Sequence, residues 1–392
     1  MKKNIVYLLA VIMILTLSAC GSSEIGTSAS AGNQTIQEVT LGKSEALATG
    51  AEAGSPEAGA SETRTITDSA GRQIEIPYPV KSIVCVNVGA LRYTCYMQAQ
   101  DLVVGVEDYE QKPTMTRLYN YVNFDSFSGL PVIGSNGEHY MEAIIAADPD
   151  VIIMTSVSDD DADVLQDKTG IPVVVVPGSD STLDEGAYTT IRIMGEVYGR
   201  QDRANQLIGF MDDIKNDLEA RTAGIAEDDK PTVYVAGVAY KGFHGFDGTE
   251  ANYGPFTLIN ARNLANETGQ AGAFSIDPEK VLLWDPDYIF VDFNGLDLIK
   301  EDYSSNPDYY KSLTAVKEGR VYSQISFRSS AANLETALAD AYYAASVIYP
   351  EQFSDVDPIK KAGEIFEVLL GTNPYKDLKE AGYVFGPITI GE

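Results

Sequence analysis

Thirteen residues beginning at Glu142 return 137 positions later, beginning at Glu279, and what returns is an order of elements as much as a string of letters. Glu142 to Met154 reads EAIIAADPDVIIM, and Glu279 to Val291 reads EKVLLWDPDYIFV, with five identities. Each copy is an apolar helical stretch, then Asp-Pro-Asp, then an apolar run of strand length. Pro149 and Pro286 disfavour α geometry in the residue before them, so each helix stops at Asp148 or Asp285 and the chain re-enters as a strand. A chain that repeats helix, corner and buried strand is constrained to two similar α/β halves.

Other runs extend both halves. Thr65 to Thr67 and Gln73 to Ile76 form a hairpin turning at Gly71, and short apolar strands follow at Ile83–Val86, Leu102–Val106 and Val173–Val176. The second half opens at Thr232–Ala236 and continues through Tyr288–Val291 and Val321–Ser323 to helices over 334–348 and 358–370. Between the halves, Ala204, Leu207, Met211, Ile214 and Leu218 recur at spacings of three and four, which predicts one long helix after an interruption at Gly199. The domain reading is a lobe over 64–181, a rigid helical connector over 182–224 and a second lobe over 225–392.

The N-terminus is of a different kind. Lys2 and Lys3 precede an apolar run from Ile5 to Leu17, too short to span a bilayer, and Leu17-Ser-Ala-Cys20 closes it. Residues 1–19 read as a signal peptide. The 43 residues of 21–63 hold 27 Gly, Ala, Ser or Thr and no aromatic residue, so 20–63 is expected to be a flexible linker. Removing residues 1–19 takes away two lysines and no acid, moving the formal charge from −29 to −31. So acidic a body, with no compact Lys/Arg run, excludes nucleic acid as a partner.

Around Cys20 the sequence resembles a bacterial lipoprotein precursor, whose peptidase cuts before a diacylglyceryl-cysteine. From residue 65 to about 370 it resembles the lipoproteins that bind ferric siderophores, haem or cobalamin for ABC importers. The stretches that carry this are Thr65 to Pro77, Val80 to Val84, Glu142 to Met154, Thr169 to Val173 and Leu313 to Tyr322. The resemblance implies the class III periplasmic binding protein fold, two Rossmann-like βα lobes joined by one long α-helix, with the ligand in the cleft between them. It also implies an extracytoplasmic monomer anchored to the bacterial cell membrane through lipid on Cys20, delivering cargo to an ABC permease dimer with its cytoplasmic ATPase. Glu142 and Glu279 match the positions at which that family docks on permease arginines; by themselves they are also acids favoured in a helix first turn.

Ligands of open α/β sheets sit beyond the carboxyl ends of strands. The loops expected there are 87–93, 107–121, 134–141 and 155–162 in the first lobe, and 237–256, 292–297 and 324–333 in the second. They carry Arg92, Tyr93, Tyr109, Arg117, His139 and Tyr140, and then Tyr240, Lys241, Phe243, His244, Phe246 and Arg328. Aromatic faces with interspersed cations suit a large anionic chelate, although each aromatic residue is equally a candidate for plain packing. Three glycines in 240–248 make that stretch the expected specificity loop. The cargo expected is a ferric siderophore, with haem, cobalamin or another corrinoid as the alternative, and a direct metal-binding protein or a non-transport receptor below these.

His139 and His244, the only histidines, could serve as axial ligands to a haem or corrin iron or cobalt. Two histidines and no cysteine pair do not make a dedicated bare-metal site, and no intrinsic cofactor is expected. Cys85 and Cys95 are read as two buried thiols, with a disulfide as the alternative. No GxxxxGK[ST] or GxGxxG loop and no recognisable nucleophile arrangement is present, so the chain is not read as an enzyme.

Overall fold

The computed structural model describes residues 62–391 except 136, 157–159 and 180. The signal peptide, Cys20 and nearly all of the linker expectation therefore lie outside the described residues, as does part of the 155–162 loop.

In the first lobe an antiparallel hairpin, β1 (Thr63–Thr67) and β2 (Gln73–Pro77), precedes a six-stranded sheet. Its strands are β3 (Ile83–Val86), β4 (Val103–Glu107), β5 (Val132–Ser135), β6 (Glu138–His139), β7 (Val151–Thr155) and β8 (Val173–Val176), in spatial order β6-β5-β4-β3-β7-β8. All neighbours are parallel except β5 and β6. Helices α1 (Ala90–Tyr96), α2 (Leu118–Phe127), α3 (Met141–Ala147) and α4 (Asp160–Thr169) connect them.

The connector is two helices, α5 (Glu185–Tyr198) and α6 (Gln201–Thr222), broken where Gly199 adopts φ 65° and caps α5. The second lobe contains β9 (Thr232–Ala236), β10 (Gly248–Ala251), α7 (Gly254–Leu258), β11 (Arg262–Asn263), β12 (Gly272–Ser275), α8 (Pro278–Trp284) and β13 (Tyr288–Asp292). It continues with α9 (Phe293–Ser305), α10 (Pro307–Ser312), α11 (Thr314–Lys317), β14 (Val321–Gln324), α12 (Leu334–Ile348), α13 (Pro358–Leu370), α14 (Tyr375–Glu380) and β15 (Gly386–Pro387). Its sheet runs β11-β9-β13-β14-β15, parallel but for β15, while β10 and β12 form a separate antiparallel pair.

The alternation of each strand sorts its side chains into different cores. Ile83, Cys85, Ile153, Val174 and Val176 of the first sheet, with Val233, Val235 and Phe290 of the second, join one cluster that also contains the buried faces of α1, α5, α6, α12 and α13. Val84, Val86, Ile152, Met154, Val173 and Val175 point the other way, onto α3 and α4. Tyr234, Ala236, Ile289 and Val291 do so in the second lobe, towards α8 and α9. Both sheets are thus covered on both faces, which is why their strands read as unbroken apolar runs. Because the shared cluster runs through both lobes and the connector, separating them would expose side chains whose burial contributes about 1.5–3 kcal/mol each.

The 137-residue repeat holds element by element. Helix α3 maps onto α8 and β7 onto β13 with the same offset at both ends. Asp148 and Asp285 both leave the helix in the left-handed region, at φ 49° and 44°, so each helix stops at the expected aspartate. The second aspartates are equivalent too. Asp150 Oδ2 accepts the backbone N–H groups of Lys81 and Ser82 at 2.6 and 3.1 Å, at the entrance to β3. Asp287 Oδ2 accepts the backbone N–H and the hydroxyl of Thr232 at 2.8 and 2.7 Å, at the entrance to β9. Each corner ends a helix and pins the neighbouring strand.

Residues 292–297, expected as a loop, instead turn directly into α9, because the Asp292 carboxylate accepts the Asn294 N–H at 2.9 Å and caps the helix. Cys85 and Cys95 are free and buried; burial pushes the Cys85 thiol up to about 12.

Candidate functional site

Depressions of about 430–610 Å³ mark the described surface, and topology separates them. A groove of about 430 Å³ is lined by Thr114 and Thr116 from the β4–α2 connection, residues 239–243 after β9, Asn294 after β13, residues 328–330 after β14, and Tyr383. It collects the carboxyl ends of three successive strands of one lobe against a strand-end loop of the other, where open α/β sheets bind ligands. A larger depression of about 560 Å³ lies between the α5 approach, α6 and α7, against the connector.

Two second-lobe loops line the groove, and both hold unusual backbone. Lys241 has φ 49° and Gly242 φ 135°, the second open only to glycine; in the other loop, Ser330 and Ala331 have φ 52° and 65°. Left-handed geometry at a residue with a Cβ costs about 1–2 kcal/mol and persists only where surrounding contacts impose it. Arg92 imposes it on the 329–331 loop. Its guanidinium is buried under that loop, donating from Nε to Asn333 Oδ1 at 3.0 Å and from Nη2 to the Ser329 carbonyl at 3.1 Å and to the Ser330 carbonyl. The same group sits 5.0 Å over the Tyr119 ring.

Other contacts tie the lobes beside it. The hydroxyls of Thr116 and Ser329 meet at 3.0 Å, the Tyr96 hydroxyl donates to Glu335, and it accepts from the Leu334 N–H at 3.1 Å. Arg92, expected at the ligand surface, is therefore a buried brace between lobes.

The remaining first-lobe residues are also committed elsewhere. Arg117 is buried, lies 3.6 Å from Glu110, and donates to the carbonyls of Tyr109 and Lys112 at 2.9 and 3.1 Å. Tyr109 is half-buried beneath the Arg117 guanidinium, 5.0 Å from ring centre. Tyr93 is wholly buried in the shared core, where its ring packs edge-on against Tyr96, so it is a packing residue. His139, on β6, is half-buried with its basicity lowered by burial against the opposing charge of Asp161, and Tyr140 is exposed beside it. Neither lines the groove.

The second lobe supplies the groove's side chains. Tyr240, Lys241, Phe243 and Arg328 all line it, and Phe243 is 70% exposed. Tyr240 is held from behind: its hydroxyl donates to Ser275 Oγ at 2.9 Å and the His244 ring stacks on it at 4.1 Å, nearly parallel. His244 Nε2 lies 3.0 Å from the Tyr240 carbonyl and Nδ1 3.3 Å from Ser275 Oγ, so one ring nitrogen is engaged by the loop and the other by the end of β12. Phe246 is buried among Tyr234, Tyr309 and Tyr310 and is a core residue, not a cleft residue.

Arg328 forms a close two-pronged ion pair with Glu250. Burial pushes the Glu250 carboxyl up and Arg328 draws it back down. Below them, burial raises the Asp292 carboxyl to about 7, against the lowering effect of Ser326 and of the Asn294 N–H. The hydroxyls and amide at Thr114, Thr116, Asn294, Ser329 and Ser330, and the ring of Tyr383, were not anticipated individually. Ser329 and Ser330 fall in a loop the strand pattern does mark; Tyr383 carries no sequence signal.

Glu142 and Glu279 are exposed in the first turns of α3 and α8. Among the described residues, no group of three or more His, Cys, Asp or Glu side chains is placed to hold a metal ion.

Comparison with known proteins agrees with this architecture. The molybdate-binding protein MolA of Haemophilus influenzae is 21% identical over 332 residues, covering 79% of this chain and 92% of MolA. The structure of MolA bound to molybdate superposes with a TM-score of 0.62, covering 79% of this chain and 98% of that one. A periplasmic solute-binding protein from Veillonella parvula, 19% identical, gives 0.65, covering 80% of this chain and 94% of its own. YvrC of Bacillus subtilis, an uncharacterised ABC transporter substrate-binding lipoprotein, is 22% identical over 66% of this chain and 77% of its own. The family model for periplasmic binding proteins matches residues 97–324, more than half of the sequence. The chain belongs to the periplasmic binding protein family, the extracytoplasmic solute-binding components of ABC importers.

Proposed function

We propose that this protein captures a ferric siderophore in the groove between its lobes, without altering it chemically, and delivers it to an ABC permease dimer while tethered to the membrane through lipid on Cys20. The observation that carries this reading is the 240–243 loop, which holds Lys241 in a left-handed conformation and leaves Phe243 mostly exposed at the groove mouth. Exposing an aromatic ring beside a cation suits a cargo that covers the ring and meets the charge, as an anionic chelate does. In a chain of formal charge −29, Lys241 is also what keeps an anion bindable at this spot, Arg328 being paired with Glu250.

A coordinatively complete chelate is favoured over a bare ion, since no carboxylate or imidazole cluster is placed to hold one among the described residues. It is favoured over a haem that takes an axial histidine, because the His244 ring nitrogens meet the Tyr240 carbonyl and Ser275 Oγ and His139 does not line the groove. Glu142 and Glu279, exposed and equivalent by the internal repeat, are the proposed contacts to permease arginines.

Calorimetric titration with a ferric catecholate, a ferric hydroxamate, haemin, cyanocobalamin and molybdate tests the cargo. Saturable binding of a ferric siderophore is expected. Binding of haemin, cyanocobalamin or molybdate in its place would overturn the siderophore assignment and name the cargo class instead.

A further inference from the structure

The repeated helices carry more than a repeated acid. Counting along α3 and α8, Ile144 and Val281 are equivalent by the 137-residue offset and both are completely buried, each anchoring its helix to its own lobe. The next residues, Ile145 and Leu282, are also equivalent, and both are exposed, at 47% and 36%. Each lies three residues after the exposed glutamate of its helix, Glu142 or Glu279, and so shares that glutamate's face. A single exposed aliphatic side chain needs no explanation. Two at the same position of a duplicated unit, each beside the same acid, amount to a duplicated surface. Leu283, 84% exposed, widens the second copy.

Topology places the pair at equivalent points of the two lobes. Both α3 and α8 run back antiparallel to the strands that follow them, so their first turns lie at the carboxyl-end side of each sheet, the side on which the groove opens. We infer that Ile145 and Leu282 are apolar docking contacts for a two-fold symmetric partner presenting twin apolar sockets, each bordered by a basic side chain. The duplication supplies the symmetry and the paired acids supply the charge of the partner; on the importer reading, that partner is the permease dimer. The inference rests on that reading and adds a contribution that salt does not screen, whereas exposed ion pairs alone are weakened by it.

The test uses the full chain and the purified permease–ATPase complex in nanodiscs, with binding measured at about 0.15 M and about 1 M salt, spanning Debye lengths of roughly 8 and 3 Å. Three variants are compared with wild type: Ile145→Ser with Leu282→Ser, Glu142→Ala with Glu279→Ala, and Val164→Ser, an exposed aliphatic on α4 outside the repeat. The serine pair is expected to weaken binding about tenfold or more per site at both salt concentrations. The alanine pair is expected to weaken it mainly at the lower salt, and Val164→Ser to leave it unchanged.

Full binding by the serine pair, or an equal loss in Val164→Ser, would overturn the inference. So would concentration-dependent self-association of the wild type that the serine pair abolishes, since the occupant would then be a second copy of this chain. If the serine pair weakens binding and the alanine pair does not at either salt, the glutamate docking assignment fails and the apolar one stands. If wild type does not bind the complex at all, the importer docking reading falls and takes this inference with it.

Discussion

The cations of the two lobes end in opposite situations. Arg92 and Arg117 of the first lobe are buried, Arg92 bonded to Asn333 and backbone carbonyls, and Arg117 to backbone carbonyls beside the Glu110 carboxylate. In the second lobe, Lys241 stays exposed on a left-handed turn, and Arg328 lines the groove while gripping Glu250. Yet the outer halves of the lobes, α3–β7 and α8–β13, match residue for residue in their bounds. The difference teaches that the repeat gives both lobes a common frame, while their groove faces differ: the first lobe braces, and the second leaves exposed the cation that the proposed reading assigns to the cargo. On the proposed reading, a buried arginine that holds the opposing loop's shape should affect binding through structure, and an exposed lysine through charge.

Substitution at the brace gives the largest expected effect. Arg92→Ala strands Asn333 Oδ1 and two carbonyls in the interior and should cost about 3–5 kcal/mol in urea unfolding, with cargo affinity falling as the 329–331 loop relaxes. Arg92→Lys should recover only part of this, because one ammonium cannot span three acceptors. Stability unchanged in Arg92→Ala would remove the brace and, with it, the contrast between the lobes.

Beneath the second-lobe wall, Asp292 makes a pH test. Its carboxyl is raised by burial from 3.8 to about 7, so the folded state holds a proton that the unfolded chain has released. Its stabilising contribution is complete below the unfolded value and is lost as pH rises through about 7. Wild-type stability should therefore fall by roughly 2–3 kcal/mol between about pH 5 and pH 8 from this group. Asp292→Asn, which keeps an oxygen to accept from Asn294 and Ser326, should flatten that fall. An unchanged pH profile in the variant would show that other buried acids, Asp340 or Glu250, carry it.

At the contact wall the effects are smaller and of another kind. Lys241→Ala and Phe243→Ala should each weaken a bound ferric siderophore about tenfold, with melting temperature nearly unmoved, since both side chains are exposed. A large loss of stability without a change in affinity would reverse the roles assigned to the two walls. Smallest of all, a reductant should leave the melting temperature unchanged, because Cys85 and Cys95 are free thiols.

What was legible in the sequence follows the same division. The repeat, the buried strands and the helices at 334–348 and 358–370 depend on local periodicity and proline corners; the two helices appear with the expected bounds and the strands within one residue of them. The strands β10 and β12 were not seen, being four residues long, glycine-containing and without alternation. The loops lining the groove could be placed from strand ends, which put Tyr240, Lys241, Phe243 and Arg328 among the candidates. The fates of Arg92, Tyr93 and Phe246 could not, because burial is decided by partners far along the chain: Arg92 by residues 329–333, and Tyr93 by its place in a core that spans both lobes. An arginine at a helix start looks the same in sequence whether it meets a ligand or a carbonyl.

Amide hydrogen exchange, measured with and without saturating ferric siderophore, tests the central claim most directly. The account predicts protection concentrated at 114–116, 239–243 and 328–330, on both walls of the groove. Protection confined instead to 181–183, 215–223 and 254–260, around the larger depression against the connector, would contradict it.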